Sequence, residues 1–194
     1  MTTSAEWRPL AALALPEAGS SRLAVQAGLV VTGSMLIAIA AHIKVPFWPV
    51  PMTLQTLAIF AIAAAYGRNL AVATLLAYIA EGAAGLPVFT QGAGLAYLAG
   101  PTAGYLAGFV IAAAIVGAAA DRGWSAHPVK LGAAMLAGEA VVLALGAAWM
   151  IVLFGLEKGL AYGVGPFIVT DLVKLALATA LVTAASGLIS RQRG

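Results

Sequence analysis

Two residues of opposite charge stand where an apolar chain tolerates them least. Asp171 and Lys174 are three positions apart in a run that is otherwise almost entirely hydrophobic. On a helix that spacing sets both on one face. A carboxylate there is acceptor-only and an ammonium is donor-only. Together they suit a polar solute that offers both N–H donors and a carbonyl. Glu81 and Glu139 are the other ionisable residues inside apolar runs. Each such charge costs about 2.5–3.5 kcal/mol at mid-membrane on insertion scales. A self-neutralising pair can serve helix packing alone, but Asp171 and Lys174 are read here as groups presented to a ligand. Glu81 fits either a site or a hydrogen bond to a loop. Glu139 is assigned to structure or to a partner contact.

Softer candidates gather beside proline and glycine. Thr53 and Gln55 follow Pro46, Pro49 and Pro51; Thr90 and Gln91 adjoin Gly92; Tyr97 and Tyr105 flank Gly100-Pro101-Thr102. Phe47 and Trp48 suit either the membrane interface, where aromatic residues concentrate, or an apolar lid over a pocket. Other chemistries find no support. There is no Cys, and His42 and His127 are too few and too distant for a metal site. Ser34 and His42, the one visible nucleophile–base pair, are separated by about 12 Å along one helix, too far for a direct hydrogen bond. Gly92-Ala93-Gly94 lacks the third glycine of a dinucleotide loop, and Gly100–Gly104 has no P-loop lysine. Neither a cofactor nor a metal is expected.

The scaffold that must carry these residues follows from composition. Of 194 residues, 62% are hydrophobic and 9% charged, against about 25% charged in an ordinary soluble domain. The mean hydropathy is +1.01. So few charges cannot cover a water-exposed surface, which excludes a soluble enzyme or a disordered chain. The net charge of +3 comes from ten scattered Lys and Arg residues, too sparse for nucleic acid. A polytopic all-α membrane protein remains.

Breaks in the apolar run predict six spans, at about 23–42, 53–66, 70–84, 101–120, 130–154 and 167–189. Residues 1–22 are read as a cytoplasmic tail rather than a signal peptide, residues 23–190 as the membrane domain, and residues 191–194 as a cytoplasmic C-terminus. Arg8, Arg22, Arg68, Arg122, Lys130, Arg191 and Arg193 fall on one side of this scheme and only Lys44 and Lys158 on the other. The positive-inside rule then places both termini in the cytoplasm. The Pro-rich first loop, the Gly-rich third loop and the fifth loop all lie outside, over the outer halves of the spans that carry Glu81, Asp171 and Lys174. Irregular backbone at that depth survives where it lines a cavity or is covered by protein. A binding pocket open to the outside is expected there. Ala24, Gly28 and Thr32 form a small-residue stripe on the first span. Such stripes allow close helix approach, either within the chain or to another membrane subunit.

Four segments together resemble one family. Val45-Pro46-Phe47-Trp48-Pro49-Val50-Pro51-Met52-Thr53-Leu54-Gln55 is similar to the first-loop signature of BioY, the biotin-specific substrate-binding (S) component of energy-coupling-factor transporters. Glu81-Gly82-Ala83-Ala84-Gly85-Leu86-Pro87-Val88-Phe89, Gly100–Phe109 and Asp171-Leu172-Val173-Lys174 resemble further signatures, in the same order. The resemblance covers about residues 23–190. It implies a six-helix S-component bundle in a bacterial cytoplasmic membrane, with an outward pocket for biotin. It also implies a transmembrane coupling subunit and cytosolic ATPases as partners, with Asp171 and Lys174 taking part in ligand binding. The chemistry of the residues agrees: a carboxylate accepts from ureido N–H groups, and an ammonium donates to the ureido carbonyl. Neutral donors such as Gln91, Tyr97 and Thr102 are expected for the tail carboxylate. The alternative is a stand-alone or proton-coupled carrier with Glu81, Glu139 and Asp171 as relay, although no internal repeat of the kind such carriers show is visible.

Overall fold

The computed structural model describes residues 9–13, 15, 16 and 18–193, with side chains through residue 189 except that of residue 13. Arg8 and Gly194 therefore lie outside the described residues, as do the side chains of Arg191 and Arg193. Among the described residues the chain forms helices α1 (Ser20–His42), α2 (Gln55–Tyr66), α3 (Arg68–Ala83), α4 (Ala103–Asp121), α5 (Pro128–Phe154), α6 (Leu156–Gly163) and α7 (Phe167–Arg193). Four segments are long and apolar enough to cross a membrane: α1, α4, α5, and Leu156–Ile189, which runs from α6 into α7. The six-span scheme corresponds to α1–α5 and α7. The fifth loop is not irregular as expected, because α6 occupies it.

Helix α2 has 12 residues, short against the ~20 needed to cross the hydrocarbon core. Its length is tolerable because α1, α3, α4 and α7 all pack around it. Ile59, Phe60, Ile62, Ala63 and Ala64 are buried there, so little of its backbone depends on lipid. Gly67, at φ +78°, turns α2 into α3, and a side chain there would strike the Asp121 carboxylate and Pro9. That carboxylate caps α3 by accepting the Arg68 N–H at 3.1 Å.

Close approach of α4 and α5 rests on glycine. A Cβ on Gly108 would stand 2.7 Å from the Val142 Cα, and one on Gly104 would meet the Leu145 carbonyl. Small residues let the two backbones touch, which is how helices associate where no hydrophobic force separates side chain from solvent.

The first loop is more ordered than its prolines suggest. Lys44–Val45 (β1) and Met52–Thr53 (β2) pair antiparallel, with Lys44 opposite Thr53 and Val45 opposite Met52. Leu54 N–H to Ile43 O, at 3.1 Å, extends the ladder. Pro46, Pro49 and Pro51 all fall in the connection between the strands, where no ladder donor is needed.

Helix α1 turns one face inward through Gly33, Ser34, Ile37, Ala40 and Ala41. Ala24, Gly28 and Thr32 lie on the other face and are exposed, and nothing stands within 4 Å of a Cβ added to Gly28. Among the described residues the stripe therefore does not serve packing within this chain.

Candidate functional site

The β1–β2 hairpin, the third loop and the outer ends of α2, α3 and α4 enclose a cavity of about 50 Å³. The expected residues Thr53, Gln55, Thr90, Tyr97 and Tyr105 all line it, as does Thr102. Val50, Pro51, Tyr78, Phe89, Leu106 and Phe109 complete the wall.

Local chemistry explains how each polar wall residue is held. Thr53 Oγ1 accepts the Gln55 N–H at 3.2 Å and so anchors the start of α2. The Gln55 side-chain amide donates to the Tyr78 hydroxyl at 2.9 Å, and Tyr78 donates to Val88 O at 3.0 Å. This relay ties α2, α3 and the third loop together. Tyr105 donates to Gly163 O at 2.6 Å, joining α4 to the end of α6. The third loop folds back on α3 through an aromatic stack. Phe89 lies edge-on to Tyr78 at 5.5 Å and parallel to Tyr97 at 4.6 Å between ring centres. Gly82 makes room for it: any side chain at that position would overlap the Phe89 ring. Gly146 makes room for the Tyr105 ring in the same way.

Asp171 and Lys174 do not line this cavity; they stand behind Thr53. Both are buried, at 4% and 8% exposure. They pair with each other, Lys174 Nζ donating to Asp171 Oδ1. Lys174 also donates to Thr53 O at 2.8 Å, and Thr56 Oγ1 donates to Asp171 Oδ1 at 3.3 Å. Thr53 is thus the partition between a neutral cavity and a charged cluster. On the outward side of α7 a broader apolar groove of about 460 Å³ has Ile43, Val45, Met52, Leu54, Val169 and Val173 along it, with Lys44, Thr53 and Lys174 also on its lining.

The remaining candidates scatter. Glu81 accepts a 2.9 Å hydrogen bond from Ser34 on α1, so it joins α3 to α1 rather than facing Asp171. Gln91 is exposed, next to Thr90, whose backbone carbonyl accepts from the Lys44 ammonium. Phe47 is half-buried. Trp48 is 70% exposed and meets Phe154 and Tyr162 edge-on, with ring centres 6.0 and 6.2 Å apart. The part of the hairpin that closes the cavity is its return side, Val50 and Pro51. Ser34 and His42 do not meet; the His42 ring bonds Ala38 O instead.

Sequence reasoning missed Tyr78, Phe89, Leu106 and Phe109. For Tyr78 a signal existed: a phenol inside an apolar helix needs a hydrogen-bond partner, and Tyr78 shares the face of Gly82, four positions on. Leu106 and Phe109 carry no such mark among so many apolar neighbours.

Comparison with known proteins adds a frame. The BioY family model matches residues 14–191. A protein of Thermotoga maritima named "Biotin transporter BioY" is 36% identical over 146 residues, covering 74% of this chain and 85% of its own. A "Probable biotin transporter BioY" of Pyrococcus horikoshii is 34% identical over 165 residues, covering 84% and 98%. Among solved structures, the S-component for biotin from an ECF-type ABC transporter superposes with a TM-score of 0.75. That match covers 88% of this chain and 95% of the other at 21% identity, and it speaks for the fold.

Proposed function

The chain belongs to the BioY family, and from that premise we propose that it takes up biotin across the membrane as the substrate-binding subunit of an ECF-type transporter. The observation that carries the reading is the cavity beneath the hairpin, with a buried acid–amine pair one residue behind its wall. Ligand sites are mostly apolar with a few converging polar groups. Tyr78, Phe89, Tyr97 and Phe109 supply the apolar surface for the sulfur ring and valeryl chain. Thr53, Gln55, Thr90 and Tyr105 supply neutral donors and acceptors. Asp171 accepts from the ureido N–H groups and Lys174 donates to the ureido carbonyl. To reach them the ligand displaces the Lys174–Thr53 hydrogen bond. A cavity of about 50 Å³ is well below the ~300 Å³ lower end for ligand pockets, so the hairpin must lift as the ligand enters. Phe47 and Trp48, at its tip, move with it as the lid. Gln91 and Glu81 take positioning roles at the rim, Glu81 through Ser34.

The chain is a transport subunit and not a catalyst. Residues 23–190 make up its ligand-binding domain, flanked by cytoplasmic segments, in a bacterial cytoplasmic membrane. The exposed stripe Ala24, Gly28 and Thr32 on α1 suits close docking of a transmembrane coupling subunit, through which cytosolic ATPases supply the energy. The alternative, a proton-coupled carrier acting alone, is less well supported because Glu81 is engaged by Ser34 on α1 rather than by another acid of the relay.

Titration calorimetry of the purified chain against a panel of B vitamins tests the proposal. Biotin alone should bind, and Asp171→Asn or Lys174→Ala should each weaken binding by about tenfold or more. No heat with biotin overturns the function; unchanged affinity in both variants overturns the site.

A further inference from the structure

At the end of the bundle away from the hairpin, α3 and α4 border a groove that the ligand-binding reading does not use. It encloses about 410 Å³ and is lined by Arg68, Asn69 and Val72 of α3 and by Val110, Ile111 and Ala114 of α4. Val72 is four positions from Arg68 and three from Asn69, and Ala114 is four from Val110 and three from Ile111. That spacing sets each group on one face of its helix. The two helices meet head to tail. A Cβ on Gly117 would stand 2.6 Å from the Arg68 Cα, and Asp121 accepts the Arg68 N–H at 3.1 Å. Arg68 and Asn69 therefore stand at the mouth, and the aliphatic wall runs inward from them, with Val110 about 10 Å deeper than Gly117 at the helical rise.

The charge at the mouth is fixed and unspent. Gly117 and Asp121 hold the Arg68 backbone in place, but the Asp121 carboxylate is engaged by the backbone N–H. Among the described residues no ion pair takes the Arg68 guanidinium. Arg122, beside Asp121, adds a second positive charge at this end and donates to Ala118 O at 3.0 Å. Arg68, Asn69 and Ile111 are exposed. The turn at Gly67 joins two apolar helices, so these charges lie at the boundary between membrane and water, where basic residues collect. A water-soluble anion would use the guanidinium and leave the aliphatic wall bare. An apolar helix would cover the wall and leave the guanidinium without a counter-charge. A phospholipid has both parts in the right order, a phosphate at the boundary and an acyl chain beneath it. Arginine takes phosphate through two parallel N–H bonds, and the Asn69 amide is a further donor beside it.

We propose that this groove binds one anionic phospholipid, its phosphate on Arg68 and Asn69 and one acyl chain along Val72, Val110, Ile111 and Ala114. Basic pockets between membrane helices take anionic headgroups in this way. The site lies at the opposite end of the bundle from the cavity and does not depend on which solute the cavity holds.

Native mass spectrometry of the full-length protein in detergent, titrated with phosphatidylglycerol or phosphatidylcholine, tests the proposal. Phosphatidylglycerol should be retained as a discrete single adduct, about fivefold tighter than phosphatidylcholine, which is the weight of one basic residue beside an anionic lipid. Arg68→Gln is an exposed change that keeps the backbone bond to Asp121, and it should abolish that preference. Arg122→Gln, outside the groove lining, should leave it intact. Ala114→Leu narrows the groove and should weaken both lipids. No preference in the wild type, or equal losses in the two arginine variants, overturns the site, since diffuse charge would then explain any binding. Unchanged lipid binding in Ala114→Leu, with millimolar inorganic phosphate displacing phosphatidylglycerol, overturns the lipid assignment in favour of a free anion.

Discussion

On the two sides of Thr53 the protein solves the problem of buried polarity in different ways. In the cavity every polar wall group is neutral, and several are tied to backbone: Tyr78 to Val88 O, Tyr105 to Gly163 O. In the cluster behind it two charges are paired, Lys174 with Asp171, and neutral groups complete them, Thr56 on the carboxylate and Thr53 O on the ammonium. Neutral groups tethered to backbone lose little when a neighbour is removed. Mutually paired charges in a low-dielectric interior lose a great deal, because deleting one strands the other. The cavity is therefore suited to adapt its shape to a ligand, while the cluster fixes an orientation.

The largest test of that contrast is a double-mutant cycle across the pair. Lys174→Met alone should destabilise the protein by about 3–5 kcal/mol by leaving Asp171 buried without its ammonium. Asp171→Asn combined with Lys174→Met should recover much of the loss, read as the thermal unfolding midpoint in detergent. Additive losses would mean the two charges are independently solvated and would dissolve the distinction. A smaller effect is expected on the cavity side. Gly82→Ala pushes a methyl into the Phe89 ring; overpacking of this kind costs about 1–3 kcal/mol, and the displaced ring should crowd the cavity. Calorimetry should show weaker biotin binding with the helical circular dichroism unchanged, and unaltered affinity would mean that Phe89 does not shape the site. The smallest effect belongs to Trp48→Ala. Exposed substitutions usually stay within about 0.5 kcal/mol, so the unfolding midpoint should hold. Stopped-flow ligand exchange should accelerate, because the hairpin tip loses its edge contacts with Phe154 and Tyr162. An unchanged exchange rate would remove Trp48 from the lid.

Much of the candidate cavity's polar lining is legible in the sequence. Thr53, Gln55, Thr90, Tyr97 and Tyr105 were marked because polar groups beside proline or glycine in a lipid-soluble chain need a reason, and all five meet at one cavity. Asp171 and Lys174 were marked by the cost of their charge, but their spacing could not say that Thr53 would stand between them and that cavity. Glu81 was grouped with them by depth alone. Depth does not specify direction around a helix, and Glu81 turns to Ser34. The stripe on α1 shows the same gap from the other side: small residues advertise a close approach without naming which neighbour approaches.

Residue type alone determined that this chain is an apolar, many-helix membrane protein and which family it joins. Those properties are sums of local transfer free energies and turn preferences, and they survive without knowledge of neighbours. Only the tertiary structure decided which way each helix is rotated. In a soluble helix the polar stripe reveals its outer face. Here lipid and protein interior are equally apolar, the stripe vanishes, and rotation is set by packing: glycine against Val142 or Phe89, and Ser34 against Glu81.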